Sequence, residues 1–440
     1  MVKTMFFGKG NTGRFFTGEE LSTLCLEGLQ KQNFAGQRVL AIIPDSTRSG
    51  PIGLLFRAIC TSFLPEAKKL DFLIALGTHP VMPEEKVNQY LCLTESERRG
   101  SIHRTRGRHE WRPYPNVRIF QHRWDVPEEL SLIGTITASE IAEISGNLLA
   151  EDIPVTINKR VLDYDRLLLV GPVFPHEVVG FSGGSKYLFP GIAGPQFLHQ
   201  FHWLGALITN PKINGTKDTP VRRAINKAVS FLNLPITNLC YVVKDKKVYG
   251  IYVGDQEAWS QAADLSACLN IHYVSKSFHT VLSMAPAMYD DIWTAGKCMY
   301  KLEPVVANKG KLIIYAPHIT EVSYTHGENL MKVGYHTRDY FLKQTERFKN
   351  VPGAIKAHST HVKGIGTYRE GVEKPRIEVI LATGIPESVC RKINLGYLNY
   401  REIKVEDYAN REEEGILLVR DAGEVLFRLS DGSVPDIDKI

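Results

Sequence analysis

The stretch "VLAIIPDSTRSG" (residues 39–50) determines the expected architecture. An apolar run that stops abruptly at small and polar residues is typical of a buried strand in a parallel sheet. The stretches "LDFLIALGTHP" (70–80) and "DRLLLVGPVFPH" (165–176) repeat the pattern. Because helical stretches alternate with these runs, as in the helix that Thr17 and Glu20 predict by a capping box, the sequence predicts an α/β fold.

The length of the chain predicts two domains. A chain of 440 residues is longer than a single hydrophobic core usually supports. A second series of apolar runs begins near residue 278. We therefore predict an N-terminal α/β domain over 1–275 and a C-terminal α/β domain over 276–440. Near the end of the chain, "GILLVRDAGEVLFRL" (415–429) predicts a β-hairpin that turns at Asp421–Gly423.

Composition excludes several classes of protein. The seven cysteines are scattered and never spaced as CxxC, which favours a reducing compartment over a disulfide framework or a zinc ribbon. Neither a signal peptide nor a membrane span is predicted, so we expect a cytoplasmic protein without a membrane partner. The net charge of +5 is too small to indicate nucleic acid binding. The arginine-rich stretch 98–115 is instead expected to be a solvated loop or a cap over an anionic ligand.

Reactive side chains follow the predicted strands. Asp45 and Arg48 come after the first run, His79 after the second and His176 after the third. Ligands of open α/β sheets bind at the carboxyl ends of the strands. Four such side chains at one edge predict an active site there.

The block "HEVVGFSGGSKYLFPGIAGPQFLHQFH" (176–202) places Lys186 in a glycine-rich loop between two histidines. It is not a P-loop, because Lys186 follows a serine and precedes Tyr187. Backbone N–H groups of such a loop can still hold a phosphate, and a plain turn with a surface lysine is the alternative. His199 and His202 form an HxxH pair, which is a weak zinc signal without a third ligand.

Other patterns leave alternatives open. "GKGNTG" (8–13) matches the dinucleotide fingerprint, but the predicted helix starts too late and no acidic residue is clearly placed. The stretches 323–336 and 357–364, the latter with His358 and His361, either line a pocket for a hydroxylated ligand or form loops.

Five pieces of the sequence, taken together and in order, resemble the lactate racemase family of nickel-pincer nucleotide enzymes. They are "PDSTR" (44–48), "LGTHP" (76–80), "PHEVVGFSGGSKYLFPGIAG" (175–194), His202 and "DIWTAGK" (291–297). The resemblance implies a pyridinium-3,5-bisthiocarboxylic acid mononucleotide that carries nickel and is attached covalently to Lys186 through a thioamide. His202 would ligate the nickel. Site and cofactor would lie in the cleft between the two α/β domains, and proteins of cofactor biosynthesis would be partners.

The resemblance also implies roles for the remaining candidates. His79 and His176 would be the acid/base pair, one for each face of the substrate. Arg48 would hold the substrate carboxylate in bidentate fashion. The other implied contacts are with the cofactor, from Asp45, Ser182, Gly183 and Gly184, and with the substrate, from Trp293, Thr294 and Lys297.

A hydride mechanism suits these residues. Removing the α-proton of a 2-hydroxy acid would build negative charge beside an ionised carboxylate. Moving the hydrogen as hydride to the pyridinium carbon, while a histidine takes the hydroxyl proton, gives a 2-keto acid instead. Redelivery to the other face completes inversion, and histidine suits both proton transfers near neutral pH.

Departures from the family pattern concern the substrate. Trp293 and Thr294 stand where the lactate-specific enzymes have tyrosine and glutamine. The shorter Thr294 leaves room, which favours a larger polar 2-hydroxy acid such as the aldonate gluconate. Malate or lactate is the alternative with the same mechanism. A Schiff-base lysine for pyridoxal phosphate and a non-catalytic nickel-nucleotide-binding protein are the remaining alternatives.

Overall fold

The computed structural model describes residues 5–93, 102–105, 108–111 and 117–437. The chain forms two compact units. Unit 1 comprises Met1–Phe174, Ser182–Leu198 and Arg222–Leu269, and unit 2 comprises Pro175–Phe181, His199–Val221 and Asn270–Ile440. Both units combine parallel strands with helices, so the predicted α/β class is confirmed.

Unit 1 is built on one large sheet, to which nine strands of the described residues belong. Its parallel centre contains, in spatial order, Ile236–Lys244, Arg166–Pro172, Arg38–Pro44, Lys69–Ala75 and Val117–Gln121. Antiparallel strands extend one edge with Lys247–Gly254 and Phe7–Gly10, and the other with Arg108–Trp111 and Ile102–Thr105. The strand Arg166–Pro172 is buried at every position, which explains its continuous apolar run.

Helices connect the strands of this first part of the chain. The capping box of Thr17 and Glu20 is present at the start of the helix Gly18–Gln30, which buries Leu21, Cys25 and Leu29. The other α-helices up to residue 270 are Ile52–Phe63, Glu84–Tyr90, Ala138–Ser145, Pro195–Ile208, Asn210–Ile213, Pro220–Ser230 and Gln256–Asn270. Short 3₁₀ helices are Pro127–Glu129, Lys159–Asp163 and Gly184–Tyr187, and Leu130–Ile136 pairs antiparallel with Ile153–Asn158.

Unit 2 contains a parallel five-stranded sheet. Its order is Gly396–Tyr397, Glu378–Thr383, Val306–Ala316, Phe278–Met284 and Ile416–Val419. Antiparallel pairs are Pro175–His176 with Gly180–Phe181 and Gly366–Arg369 with Val372–Pro375. The α-helices after residue 270 are Ile292–Ala295, Lys297–Tyr300, Gly327–Val333, Arg338–Leu342, Thr345–Phe348, Gly353–Lys363 and Glu387–Lys392. The 3₁₀ helices are Glu303–Val305, Tyr400–Glu402, Val405–Tyr408 and Glu412–Glu414.

The predicted hairpin over 415–429 is wrong. Both strands exist, but Ile416–Val419 pairs in parallel with Phe278–Met284, and Leu426–Leu429 pairs in parallel with Ile271–Val274. Each strand gains a partner that is itself anchored in the unit, so Leu417 and Leu426 become buried. A free two-stranded hairpin would leave more of this apolar surface in water.

The predicted division at residue 275 follows the order of the chain, whereas the compact units interleave. The segments that carry His176 and His202 belong to unit 2, and the loop that carries Lys186 belongs to unit 1. The domain assignment stays a prediction. Most of the arginine-rich stretch 98–115 lies outside the described residues. No helix in the described part of the chain is both long and apolar enough to span a membrane.

Gly180 shapes the hairpin that carries His176. The two residues are paired in its antiparallel register. Gly180 has a φ of +84°, and a Cβ at this position would overlap the carbonyl oxygen of Thr216. The N–H of Gly215 donates to the Gly180 carbonyl at 2.9 Å. Glycine is therefore required here by backbone conformation and by space.

Gly180→Ala should lower the free energy of unfolding by about 3 kcal/mol, because left-handed strain and the backbone overlap add. Gly36→Ala is the matched control: its φ is +68°, but nothing lies within 4 Å of the added Cβ. The control should lose only about 1 kcal/mol. Urea denaturation measures both values, and equal losses would contradict the close approach of Thr216.

Candidate active site

Asp45 and His79 meet at the carboxyl edge of the unit 1 sheet. They follow Arg38–Pro44 and Lys69–Ala75, neighbouring parallel strands in which Pro44 is paired with Ala75. The carboxylate of Asp45 accepts a hydrogen bond from His79 Nδ1. It also accepts from the backbone N–H of Thr47 at 3.1 Å and from the Thr47 hydroxyl at 2.6 Å. The prediction that strand-end residues converge is confirmed for this pair.

The charge of Asp45 determines which ring nitrogen of His79 carries a proton. Burial by itself would raise the pKa of Asp45, which is 5% exposed, but His79, Arg48 and Thr47 together hold that pKa below its usual range. An ionised carboxylate only accepts hydrogen bonds, so Nδ1 of His79 carries a proton. The second ring nitrogen, Nε2, is then left for proton transfer, and the side chain is 35% exposed.

Arg48 lies in the same neighbourhood. Its guanidinium is 5.7 Å from the ring centre of Phe174. Burial raises the pKa of Tyr187, while Arg48 lowers it and Asp45 raises it, so both charges are felt at the residue next to Lys186. Arg48, Asp45 and Tyr187 are thus brought together within unit 1.

The glycine-rich loop before Lys186 packs against Val173 and Trp259. Gly183 and Gly184 have φ values of +79° and +57°. A Cβ on Gly183 would lie 2.6 Å from Val173, and one on Gly184 would lie 2.9 Å from Trp259. The Trp259 indole N–H donates to the carbonyl of Ser182 at 2.8 Å. The backbone path into the turn Gly184–Tyr187, which carries the partly exposed Lys186, therefore needs glycine.

Backbone bonds also hold the segment after Lys186. The N–H of Gly77, two residues before His79, donates to the carbonyl of Gly191 at 2.9 Å. His122 Nε2 donates to the carbonyl of Ala193 at 3.0 Å, and the Asn158 amide donates to its Nδ1 at 3.2 Å. Burial lowers the pKa of His122 to about 4, so the ring is neutral near pH 7, as these two bonds require.

His176 is positioned within unit 2. It is buried, and its Nδ1 accepts from the backbone N–H of Val178 at 3.2 Å. A carboxylate oxygen of Glu177 lies 3.2 Å from the same nitrogen. Glu177 was not singled out by the sequence, although it is the nearest acidic neighbour along the chain.

His202 and Trp293 lie in unit 2 among further histidines. His202 is on the helix Pro195–Ile208. Burial, with smaller effects of other imidazoles including His202, lowers the pKa of His358 to about 3. The His358 ring stacks on Trp293 at 4.2 Å between ring centres, and His326 lies 4.3 Å from the same indole. Sequence reasoning left His358 undecided and gave His326 no individual role.

Thr294 and Lys297 occupy two short consecutive helices. Asp291 caps the first, because its carboxylate accepts from the N–H of Thr294 at 2.9 Å, and it also accepts from the N–H of Tyr324 at 3.2 Å. The ammonium of Lys297 lies 4.7 Å from the ring centre of Tyr289. Asp291 thus joins the predicted substrate segment to the loop 323–326.

Two weak motifs have structural explanations. The "GKGNTG" glycines Gly8 and Gly10 lie in an antiparallel edge strand, where a Cβ would collide with the ring of Tyr252. This is not the strand–turn–helix of a dinucleotide site.

Within the described part of the chain, the HxxH pair is not part of a cluster of protein metal ligands. Among the residues that the structure describes, no group of three or more His, Cys, Asp or Glu side chains could hold a metal ion, so His199 and His202 do not belong to such a cluster.

Comparison with known proteins connects this geometry to a family. Residues 22–214 match the lactate racemase N-terminal domain. The lactate racemase of Lactiplantibacillus plantarum is 29% identical over 152 residues, which are 33% of this chain and 32% of that protein. The match thus spans about a third of the length of this curated relative.

Two solved structures match nearly the whole chain. A Thermotoga maritima protein, 29% identical, superposes with a TM-score of 0.83 over 96% of this chain and 100% of its own. The lactate racemase apoprotein from Thermoanaerobacterium thermosaccharolyticum is 19% identical and superposes with a TM-score of 0.68 over 96% and 94%. The second match shows a common fold. With the domain match over residues 22–214, these findings show that the chain is similar to lactate racemases in the sequence of its N-terminal part and in its fold.

Proposed function

We propose that the protein is a racemase or C2-epimerase of 2-hydroxy acids that works with a nickel-pincer nucleotide. The observation that carries the proposal is the buried Asp45 carboxylate that fixes the tautomer of His79 beside Arg48. The similarity of residues 22–214 to the lactate racemase N-terminal domain supports it. The arrangement has the parts that a hydroxy acid needs: a cation for its carboxylate and an oriented imidazole for its hydroxyl.

The residues present fit the proposed cofactor. Lys186 follows a loop whose backbone is fixed by Gly183 and Gly184, so a covalent bond to its side chain would not require refolding. Lys186 would hold the nucleotide and His202 would ligate its nickel. When bound, the nucleotide would supply a carbon that accepts and returns a hydride. Ser182, Gly183 and Gly184 are the proposed backbone contacts to it.

Side chains of the protein bind the substrate carboxylate and transfer the hydroxyl proton. Arg48 binds the carboxylate of the substrate. His79 accepts the hydroxyl proton at Nε2, because its Nδ1 is engaged by Asp45. His176 takes the corresponding role for the opposite isomer, and Lys297 contacts substrate oxygens. A 2-keto acid is the intermediate, which avoids a carbanion beside the carboxylate.

We propose that the substrate is larger and more polar than lactate, such as the aldonate gluconate. Thr294 is shorter than the glutamine of the lactate-specific pattern, and the imidazole rings of His326 and His358 lie against Trp293. The test uses protein from cells that make the cofactor, with lactate, malate and aldonates followed by chiral or epimer-resolving chromatography. Inversion of an aldonate with the highest kcat/KM is expected, and inversion of no 2-hydroxy acid would refute the proposed function.

Asp45→Asn should lower kcat about 10²-fold or more, because the neutral amide no longer fixes the His79 tautomer. The pH dependence of stability checks the charge. The pKa of Asp45 is lowered on folding, so its ionised form stabilises the fold above the usual aspartate pKa of about 4, and this contribution is lost as the pH falls below about 4.

Urea denaturation between pH 3 and pH 7 should therefore show a difference between the wild type and Asp45→Asn that shrinks at the acidic end. Asp245→Asn, at an exposed turn, is the control for the loss of one carboxylate. A difference that is independent of pH would argue against an ionised Asp45.

Lys186→Ala should abolish the covalent mass increment and the nickel content of the purified protein. The melting temperature should change little, because the side chain is partly exposed and not in the core. Intact-protein mass spectrometry and metal analysis measure the loss. Lys68→Ala, an exposed lysine, should keep the increment, and a Lys186→Ala protein that still carried it would exclude the assigned tether.

His79→Ala and His176→Ala should each lower turnover by roughly 10²–10⁴-fold, the effect of removing a general acid/base. In single turnover with acid quench, each variant should form 2-keto acid from only one isomer, and the two variants should prefer opposite isomers. His272→Ala, at an exposed position, should retain full turnover. If either variant oxidised both isomers equally, the assignment of one histidine to each face would be wrong.

A further inference from the structure

Five side chains of unit 2 form a buried group that we call the Trp293 cluster: Trp293, His326, Tyr335, His358 and His361. The His358 ring is nearly parallel to the indole, with 12° between the planes, and the Tyr335 ring centre lies 5.7 Å from that of His358. The four members of the cluster other than Trp293 are less than 10% exposed. The cluster therefore encloses polar atoms in an aromatic environment.

The tautomer of His358 follows from one hydrogen bond. Its Nε2 lies 3.0 Å from the carbonyl oxygen of Trp293. A carbonyl can only accept, so Nε2 carries the proton and Nδ1 presents a lone pair. Nδ1 has no hydrogen-bond partner among the described residues. His358 is thus an acceptor that is buried beside Trp293 and lacks a donor.

Tyr335 offers a hydroxyl that also lacks a hydrogen-bond partner among the described residues. It is completely buried, and its hydroxyl has no partner among the residues that the structure describes. Nε2 of His361, on the helix Gly353–Lys363, likewise has no partner among these residues. Each buried polar group left unsatisfied costs about 1–3 kcal/mol. With His358 Nδ1, three such atoms belong to the Trp293 cluster, and a ligand that supplies hydrogen bonds would satisfy them.

The chemistry of the atoms selects the ligand group. A lone pair on His358 Nδ1 needs a donor, which excludes a carboxylate or phosphate oxygen. The Tyr335 hydroxyl can donate as well as accept, and an alcohol oxygen can do the same. An alcohol that donates to Nδ1 and accepts from Tyr335 would satisfy both atoms at once.

We propose that the Trp293 cluster is the subsite for the hydroxyl groups that the substrate carries beyond C2, and that His358 and Tyr335 bind one of them. This inference rests on the proposed function and names the residues that select the substrate. Lactate has no hydroxyl beyond C2, glycerate has one at C3, and gluconate has several. The subsite should therefore rank these acids by their additional hydroxyls.

Tyr335→Phe is the sharpest test, because it removes only an atom without a partner. In the cofactor-loaded enzyme, kcat/KM for gluconate should fall about 3- to 10-fold, the value of one neutral hydrogen bond. The loss should be in KM rather than in kcat, because a contact remote from C2 is the same in the ground state and the transition state. Lactate kinetics and the melting temperature should be unchanged.

Two further variants complete the design. Thr237→Val is the control: it removes a buried hydroxyl without a partner among the described residues from the strand Ile236–Lys244 of unit 1. It should leave kcat/KM unchanged for both gluconate and lactate. His358→Phe retains a ring against Trp293 but removes Nδ1 together with the Nε2 bond to the Trp293 carbonyl, so some loss of stability is expected beside the selective loss for gluconate. Equal effects of Tyr335→Phe on lactate and gluconate, or no effect on either, would overturn the subsite.

A binding measurement separates this inference from the proposed function. Titration calorimetry of the wild type should show tighter binding of gluconate than of lactate, and Tyr335→Phe should remove the difference. If the wild type inverted no 2-hydroxy acid, the proposed function would fail, while this selective binding would still support the subsite. Equal binding of the two acids by the wild type would refute it.

Discussion

The burial of one carboxylate, Asp45, organises the edge of the sheet in unit 1. An ionised group that is removed from water must be compensated by charge and hydrogen bonds. His79, Thr47 and Arg48 provide this compensation, and three of these four residues lie in the turn that directly follows one strand. The fourth, His79, follows the neighbouring parallel strand. The register of two buried strands thereby becomes the geometry of an acid/base group.

The sequence predicted what depends on local patterns. Strands buried on both faces require continuous apolar runs, so Arg38–Pro44 and Arg166–Pro172 were visible in advance. The capping box at Thr17 was equally local. The wrong prediction of a hairpin over 415–429 shows that local patterns do not determine which strands pair. The two strands after residue 415 find their partners near residues 271 and 280, and no short window of sequence contains that choice.

The candidate site likewise contains residues that local sequence patterns identified and contacts that only tertiary packing determines. Asp45 and His79 could be named because strand ends converge, but their hydrogen bond is a matter of side-chain geometry. His358 and Tyr335 were covered only as members of the stretches 357–364 and 323–336, for which the sequence left pocket and loop open. The contacts of His358 join distant segments, since the indole of Trp293 is 65 residues away along the chain. Such contacts follow from tertiary packing.

The segments on either side of Lys186 are held mainly through the backbone, which gives its glycines a physical reason. Gly183 and Gly184 turn the chain against Val173 and Trp259, and the Gly191 carbonyl accepts from Gly77 in the loop of His79. These contacts fix the path of the backbone on both sides of Lys186, whose side chain is partly exposed. A displacement of the His79 loop would therefore be transmitted to the segment after Lys186. The proposed tether and the proposed base are thus parts of one hydrogen-bonded framework.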